Sequence, residues 1–177
     1  MNTITVNGTV FDVKDEELEL TMLTYLRERR FLTGTKNGCE KGLCGSCTIV
    51  MNNIAVRACK TPVRKALGAT VTTIEGMEGP SGELHPIQKA FIDAGAIQCG
   101  FCTPGMVMSS YALLLREPKP SRDDIRKALR GNLCRCTGYQ QIIDAVELAA
   151  QVIRDQELSP RAGSDRPSEP TAAGQSK

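Results

Sequence analysis

The chain has 177 residues, and its 22 Lys and Arg against 20 Asp and Glu leave a formal net charge of +2, too balanced to support binding to nucleic acid or an anionic membrane. Aromatics make up 4% and tryptophan is absent, so neither half can build a large aromatic core, and small domains with thin cores usually need a disulfide or metal staple. No apolar stretch approaches a bilayer span and the N-terminus lacks the pattern of a secretory signal, so a soluble, cytoplasmic protein of one medium or two small domains is expected.

Thr3–Val6 and Thr9–Val13 alternate apolar and polar residues around Asn7-Gly8, the strongest short hairpin signal. Leu20, Leu23 and Leu26, with the Arg-rich turn that follows, predict a short amphipathic helix ending before Gly34. A glycine-rich stretch from Gly34 to Gly45 then leads through Cys39 and Cys44 to Cys47. Thr48–Met51 and Ile54–Arg57 flank Asn52-Asn53 as a second hairpin, and Val71–Ile74 reads as a last strand. Residues 1–75 therefore form one small α+β unit, and the Gly-, Glu- and Pro-rich residues after it predict a linker over 76–84.

From 85 to 156 the pattern is helical. Ile87–Ala94 is one helix, and His85, the only histidine, directly precedes Pro86 and reads as a helix start ahead of a ligand. Thr103-Pro104 opens a second helix running to about Arg116, with Thr as its cap and Pro at its first position. Ser121 to Asp124 resembles a capping box with Asp in place of Glu, opening a helix that ends at Gly131. A last helix after Thr137-Gly138 carries Ile142, Ile143, Val146, Ala149, Ala150 and Ile153 on one face. Residues 157–177, rich in Pro, Ser, Gly and Ala, are expected to form a disordered tail.

The eight cysteines fall into two tetrads with no remainder. Cys39, Cys44, Cys47 and Cys59 follow C-x4-C-x2-C with one more Cys eleven residues on, the plant-type ligand spacing for a 2Fe-2S cluster. Such a cluster is net negative and gains a further negative charge on reduction, so burying it demands many hydrogen-bond donors. Gly38, Gly42 and Gly45 interleave these cysteines, and glycine lets a loop aim its backbone N–H groups inward.

Cys99, Cys102, Cys134 and Cys136 read C-x2-C, a gap of 31 residues, then C-x-C. Each pair precedes a predicted helix, so both are expected at helix N-termini, where N–H groups and the dipole favour thiolates around one shared cluster in an approximate two-fold arrangement. A structural zinc site is the alternative for either tetrad; it is the weaker reading for the first, since zinc favours C-x2-C knuckles, and stays open for the second. Disulfides are disfavoured in a reducing compartment. The cations at 57, 60, 64 and 65 read as a solvated face that an acidic partner would also fit. There is no dinucleotide fingerprint, no P-loop and no Ser/His/Asp set, so electron carriage and a docking surface are what the residues offer.

Three stretches, GCEKGLCGSC (38–47), QCGFCTPG (98–105) and GNLCRCTGY (131–139), closely resemble the small iron–sulfur subunit of the molybdenum hydroxylases, the xanthine dehydrogenase and aldehyde oxidoreductase family. The resemblance implies a plant-ferredoxin-like β-grasp domain holding one 2Fe-2S cluster on Cys39, Cys44, Cys47 and Cys59. It implies a C-terminal four-helix bundle holding a second on Cys99, Cys102, Cys134 and Cys136, which removes the zinc alternative there. It places Gln98 and Cys136 against the pterin of a molybdenum cofactor on a large partner subunit, and the first cluster towards FAD on a medium one. The implied reaction is hydroxylation of a heterocycle or aldehyde with oxygen from water, with a lean to a purine or related N-heteroaromatic. Ser46 stands where alanine is commoner in the family and adds a polar group able to tune the first cluster's potential. A free ferredoxin and a zinc-stabilised interaction module are the competing readings.

Overall fold

In the computed structural model residues 2–158 are described, so the tail expected from 157 onward lies, past Leu158, outside the described residues. Strands β1 (Thr3–Val6) and β2 (Thr9–Asp12) pair antiparallel through a turn in which Asn7 and Gly8 take φ of 49° and 80°. Left-handed residues at both turn positions match the twist of the strands, which is why Asn-Gly serves there. Strands β3 (Thr48–Met51) and β4 (Ile54–Arg57) repeat the device with Asn52 and Asn53 at 48° and 66°. The last strand, β5 (Thr70–Thr72), runs parallel to β1 and antiparallel to β3, giving a mixed sheet in the order β2-β1-β5-β3-β4.

One face of this sheet, with Ile4, Val6, Ile49 and Val71, buries itself against Met22, Tyr25 and Leu26. Those residues lie on α1 (Met22–Thr24) and the π-helical turn Tyr25–Arg29 that continues it. The helix starts later than the leucine spacing predicts. Leu18 and Leu20 carbonyls accept from Arg64 and Val63, so those acceptors are committed to a distant segment and do not serve a helix.

The second half holds α2 (Pro86–Asp93), α3 (Thr103–Leu114), α4 (Arg122–Leu129) and α5 (Gln140–Leu158). His85 caps α2 as expected, its Nδ1 accepting from Ile87 N at 3.2 Å, and Ser121 and Asp124 form the reciprocal box at the start of α4. Two other starts differ from expectation. The residue at the cap of α3 is Cys102, not Thr103. Helix α5 begins at Gln140 and not after Thr137, because Gly138 and Tyr139 take φ of 65° and 70°. The Tyr139 hydroxyl bridges Cys134 N and Asn132 O, so the tyrosine is bound into the cysteine loop before the helix begins.

Helix α2 packs along α5, while α3 lies between the other helices and strands β3 and β4. Covered from both sides, α3 is buried nearly all round and shows no polar face, which suits a central helix. Residues 76–84, predicted as a linker, include Met77, which is buried in the helical core, and Glu75 just before them accepts from Gly34 N at 2.7 Å.

The two halves meet through buried polar groups. Asn132, 2% exposed, donates from Nδ2 to Gly45 O at 3.1 Å and accepts from Ser109 Oγ at 2.8 Å. Arg57 donates to Gly131 O at 2.7 Å and to Thr48 Oγ1 at 2.5 Å. Its place in the predicted solvated face is therefore corrected: Arg57 is half-buried and bonds across the interface, whereas Lys60, Arg64 and Lys65 are exposed. Gly105 of α3 approaches so closely that any side chain there would overlap the Gly45 carbonyl oxygen. Asn132→Ala leaves the Gly45 carbonyl and the Ser109 hydroxyl without their amide partner. It is expected to cost about 3 kcal/mol and to lower Tm by about 6–12 °C in a thermal melt, whereas Lys65→Met stays within about 0.5 kcal/mol of the parent.

Candidate metal centres

The first cysteine loop leaves the π-helical turn, passes Cys39 and Cys44, and enters β3 just after Cys47. Cys59 arrives from the other end of the β3–β4 hairpin, in a 3-10 turn at Ala58–Lys60. Residues Glu40, Gly42 and Gly45 take left-handed φ of 54°, 78° and 72°, which folds the loop tightly enough to point amides at sulfur. Cys44 N and Lys41 N both donate to Cys39 Sγ at 3.4 Å, and these bonds hold the Cys39 thiol down at about 6. Burial instead pushes the Cys47 thiol up to about 11. Cys39 pairs with Cys44 and Cys47 with Cys59, and the Cys44 thiol is near enough to act on Cys47.

In the second loop system Cys99 and Cys102 come from the segment between α2 and α3, and Cys134 and Cys136 from that between α4 and α5. Cys136 Sγ lies 3.6 Å from Cys99 Sγ, and the Cys102 thiol pairs with that of Cys134. Burial pushes the Cys102 thiol up to about 12. Burial also acts upward on Cys134, but bonds from the Thr137 hydroxyl and the Thr137 and Cys136 backbone outweigh it and lower that thiol. The Cys136 thiol is raised by its contact with Cys99.

The expectation that both pairs sit at helix N-termini holds only for Cys102. Cys134 takes its donors from a turn: Thr137 N at 3.5 Å and Thr137 Oγ1 at 3.1 Å. A turn supplies the same kind of N–H donor as a helix end, without the dipole of a long helix behind it.

These thiols fit a dinuclear iron centre. A tetrahedral metal with bonds to sulfur of about 2.3 Å sets two ligand sulfurs about 3.8 Å apart, close to the 3.6 Å between Cys99 and Cys136. Among the described residues no three His, Cys, Asp or Glu side chains gather as a mononuclear site. The contact between Cys99 and Cys136 would suit two thiolates on one iron of a 2Fe-2S centre.

The sequence-predicted site residues are thus gathered into two places, and the two places touch. Leu133 N, one residue before Cys134, donates to Cys44 O at 2.8 Å. Gln98 is exposed on the chain beside Cys99, while Cys99 and Cys136 are themselves exposed. His85 serves α2 as a cap and packs edge-on against Tyr111. Sequence reasoning missed Arg57, Ser109 and Asn132. Asn132 lies inside the GNLCRC stretch, and a polar amide two residues before a tetrad cysteine was the one available signal for it.

Comparison with known proteins agrees with this arrangement. Residues 5–92 match the 2Fe-2S iron-sulfur cluster binding domain family and residues 73–147 match a second 2Fe-2S binding domain family. Aldehyde oxidase 2 of Cavia porcellus is 46% identical over 150 residues, covering 79% of this chain. Xanthine dehydrogenase of Drosophila pseudoobscura pseudoobscura is 46% identical over 149 residues, covering 78%. The chain spans 11% of the length of each of these relatives. Among solved structures, quinoline 2-oxidoreductase from Pseudomonas putida 86 superposes with a TM-score of 0.79 at 42% identity, over 89% of this chain and 97% of that one. Aldehyde oxidoreductase from Desulfovibrio gigas gives a TM-score of 0.82 at 44% identity, over 88% of this chain and 17% of that one. With one family match over each cysteine tetrad and near-complete coverage of a solved oxidoreductase chain, this chain belongs to the 2Fe-2S iron–sulfur subunits of the molybdenum hydroxylase, or xanthine dehydrogenase, family of oxidoreductases.

Proposed function

We propose that this chain is the electron-transfer subunit of a heteromeric molybdenum hydroxylase. In this reading its first half is a plant-ferredoxin-like β-grasp domain with Cys39, Cys44, Cys47 and Cys59 as ligands of one 2Fe-2S cluster. Its second half is a four-helix bundle, with Cys99, Cys102, Cys134 and Cys136 holding the other in an approximate two-fold setting before α3 and α5. The clusters, when bound, supply one-electron carriage; the chain positions them, insulates them and meets the partners. Electrons from a molybdenum–pterin centre enter at the second tetrad, where Gln98 and Cys136 contact the pterin, and leave by the first towards FAD or another acceptor.

The contact between the two loops carries this reading. Electron tunnelling falls steeply with distance, and the 2.8 Å bond from Leu133 N to Cys44 O joins the segments bearing two of the proposed ligands, Cys44 and Cys134. A free ferredoxin has no use for a second tetrad locked to the first in this way.

The surface supports a large partner. Phe101 and Leu133, 49% and 59% exposed, flank the exposed thiols Cys99 and Cys136, with exposed Ile97 beside Gln98. Apolar residues grouped around a reactive edge mark an interface more than solvated surface. The near-complete coverage of one chain of quinoline 2-oxidoreductase supports an iron–sulfur chain separate from the molybdenum and flavin subunits, and that protein's substrate supports the lean to an N-heteroaromatic or purine. No helix among the described residues is long and apolar enough to cross a membrane. None of the eight cysteines is in a disulfide, and a cytoplasmic location is part of this proposal.

Purification of the complex tests this directly. The chain should carry about four iron atoms and a visible absorption that bleaches on reduction. Cys47→Ala and Cys102→Ala should each abolish a different one of two electron paramagnetic resonance signals. A colourless, zinc-loaded chain would sink the proposal. Leu133→Asp, on an exposed side chain, should weaken binding of the large subunit by about 30-fold in a titration while leaving both signals intact, the scale of one interface hot spot.

A further inference from the structure

Each tetrad carries one side-chain hydroxyl against a thiol. Ser46 Oγ lies 3.1 Å from Cys44 Sγ, and Thr137 Oγ1 lies 3.1 Å from Cys134 Sγ. Cys44 and Cys134 are also the two cysteines that border the contact between the loops, where Leu133 N meets Cys44 O.

The direction of both bonds is set by the surroundings. A thiolate ligand has no proton to give, so the hydroxyl must be the donor. At Thr137 the oxygen also accepts from Tyr139 N at 3.3 Å, which turns its proton towards Cys134. Ser46 is 3% exposed, and Cys44 Sγ is its only hydroxyl partner among the described residues. The space around it is closed as well. A Cβ placed on Gly38 would stand 2.6 Å from Ser46 Oγ and 3.0 Å from Cys44 Sγ, so a side chain at position 38 would press on the pair. A buried hydroxyl without a partner is costly, so Ser46 holds this bond.

Resting on the proposed 2Fe-2S ligation, we infer that Ser46 and Thr137 are positioning residues that set the electron affinities of the two clusters separately. A hydroxyl donating to a ligand sulfur stabilises negative charge, and the reduced cluster carries one more negative charge than the oxidised one. The bond therefore strengthens on reduction and holds the electron. No proton changes hands: one electron is added, and the O–H dipole already points at the sulfur that receives part of its charge. Ser46 acts on the first tetrad, the proposed exit, and so favours onward movement of the electron out of the second. Thr137 acts in the opposite sense.

The test is a redox titration of the purified complex, following the two electron paramagnetic resonance signals. Ser46→Ala should lower the ratio of reduced to oxidised first cluster about tenfold at a fixed potential. That fold-change corresponds to a midpoint about 59 mV lower for a one-electron couple. The second cluster should not move. Thr137→Val should do the reverse, shifting only the second cluster, and Thr137→Ser, which keeps the hydroxyl, should restore it. An unchanged or raised first midpoint in Ser46→Ala, an equal shift of both clusters, or loss of the first cluster's iron overturns the inference. Absence of both signals from the parent protein would instead overturn the ligation on which it rests.

Discussion

The junction between the two halves of this protein depends on a buried amide. Asn132 sits where the helical half meets the sheet, and its side chain bonds both Gly45 and Ser109, while Arg57 alongside serves the carbonyl of Gly131. Each half is small, with its own apolar cluster and few aromatic residues. Apolar contact alone between two such units would allow sliding. A set of buried donors and acceptors admits very few arrangements, because any displacement leaves one of them unpaired. The close approach of Gly105 to Gly45 adds a steric limit to the same junction. The loop bearing Cys44 and the loop bearing Cys134 are therefore held in one relative position.

Within that frame the two tetrads meet the same electrostatic demand in related ways. Cys39 receives amides from a loop folded through left-handed residues, and Cys134 receives an amide and a hydroxyl from the Thr137 turn. Burial pushes the Cys47 and Cys102 thiols up, a cost that a cation at the centre would offset. The outer thiols Cys99 and Cys136 remain exposed, on the side rimmed by Phe101 and Leu133. An interior locked by hydrogen bonds and an edge left open and apolar is what a relay between partners requires.

Much of this was legible along the chain. Asn7-Gly8 and Asn52-Asn53 gave both hairpins because a turn of that kind depends on two adjacent residues alone. Ser121 to Asp124 and His85 before Pro86 gave helix starts for the same local reason. Where distant segments compete for the same backbone, local reading failed. Leu20 looks helical, yet Val63 claims its carbonyl, and Thr137-Gly138 looks like a helix start, yet Tyr139 is drawn back to Asn132. Arg57 reads as one of several surface cations, since its partners across the interface, Gly131 and Asn132, stand more than seventy residues away in the chain.

By itself the sequence determined the grouping of the cysteines into two tetrads, the kind of centre the first one suits, and the order of strands and helices. All of these follow from spacing and from residue chemistry that acts over a few positions. Tertiary structure alone decided that the tetrads adjoin, that Cys134 is served by a turn and not by a helix end, and that Ser46 and Thr137 each face a sulfur. The first outcome rests on a contact between segments far apart in the chain, chosen by the joint need to bury apolar surface and leave no buried polar group unpaired. The others join residues two or three positions apart, whose turn geometry is set by the packing around them.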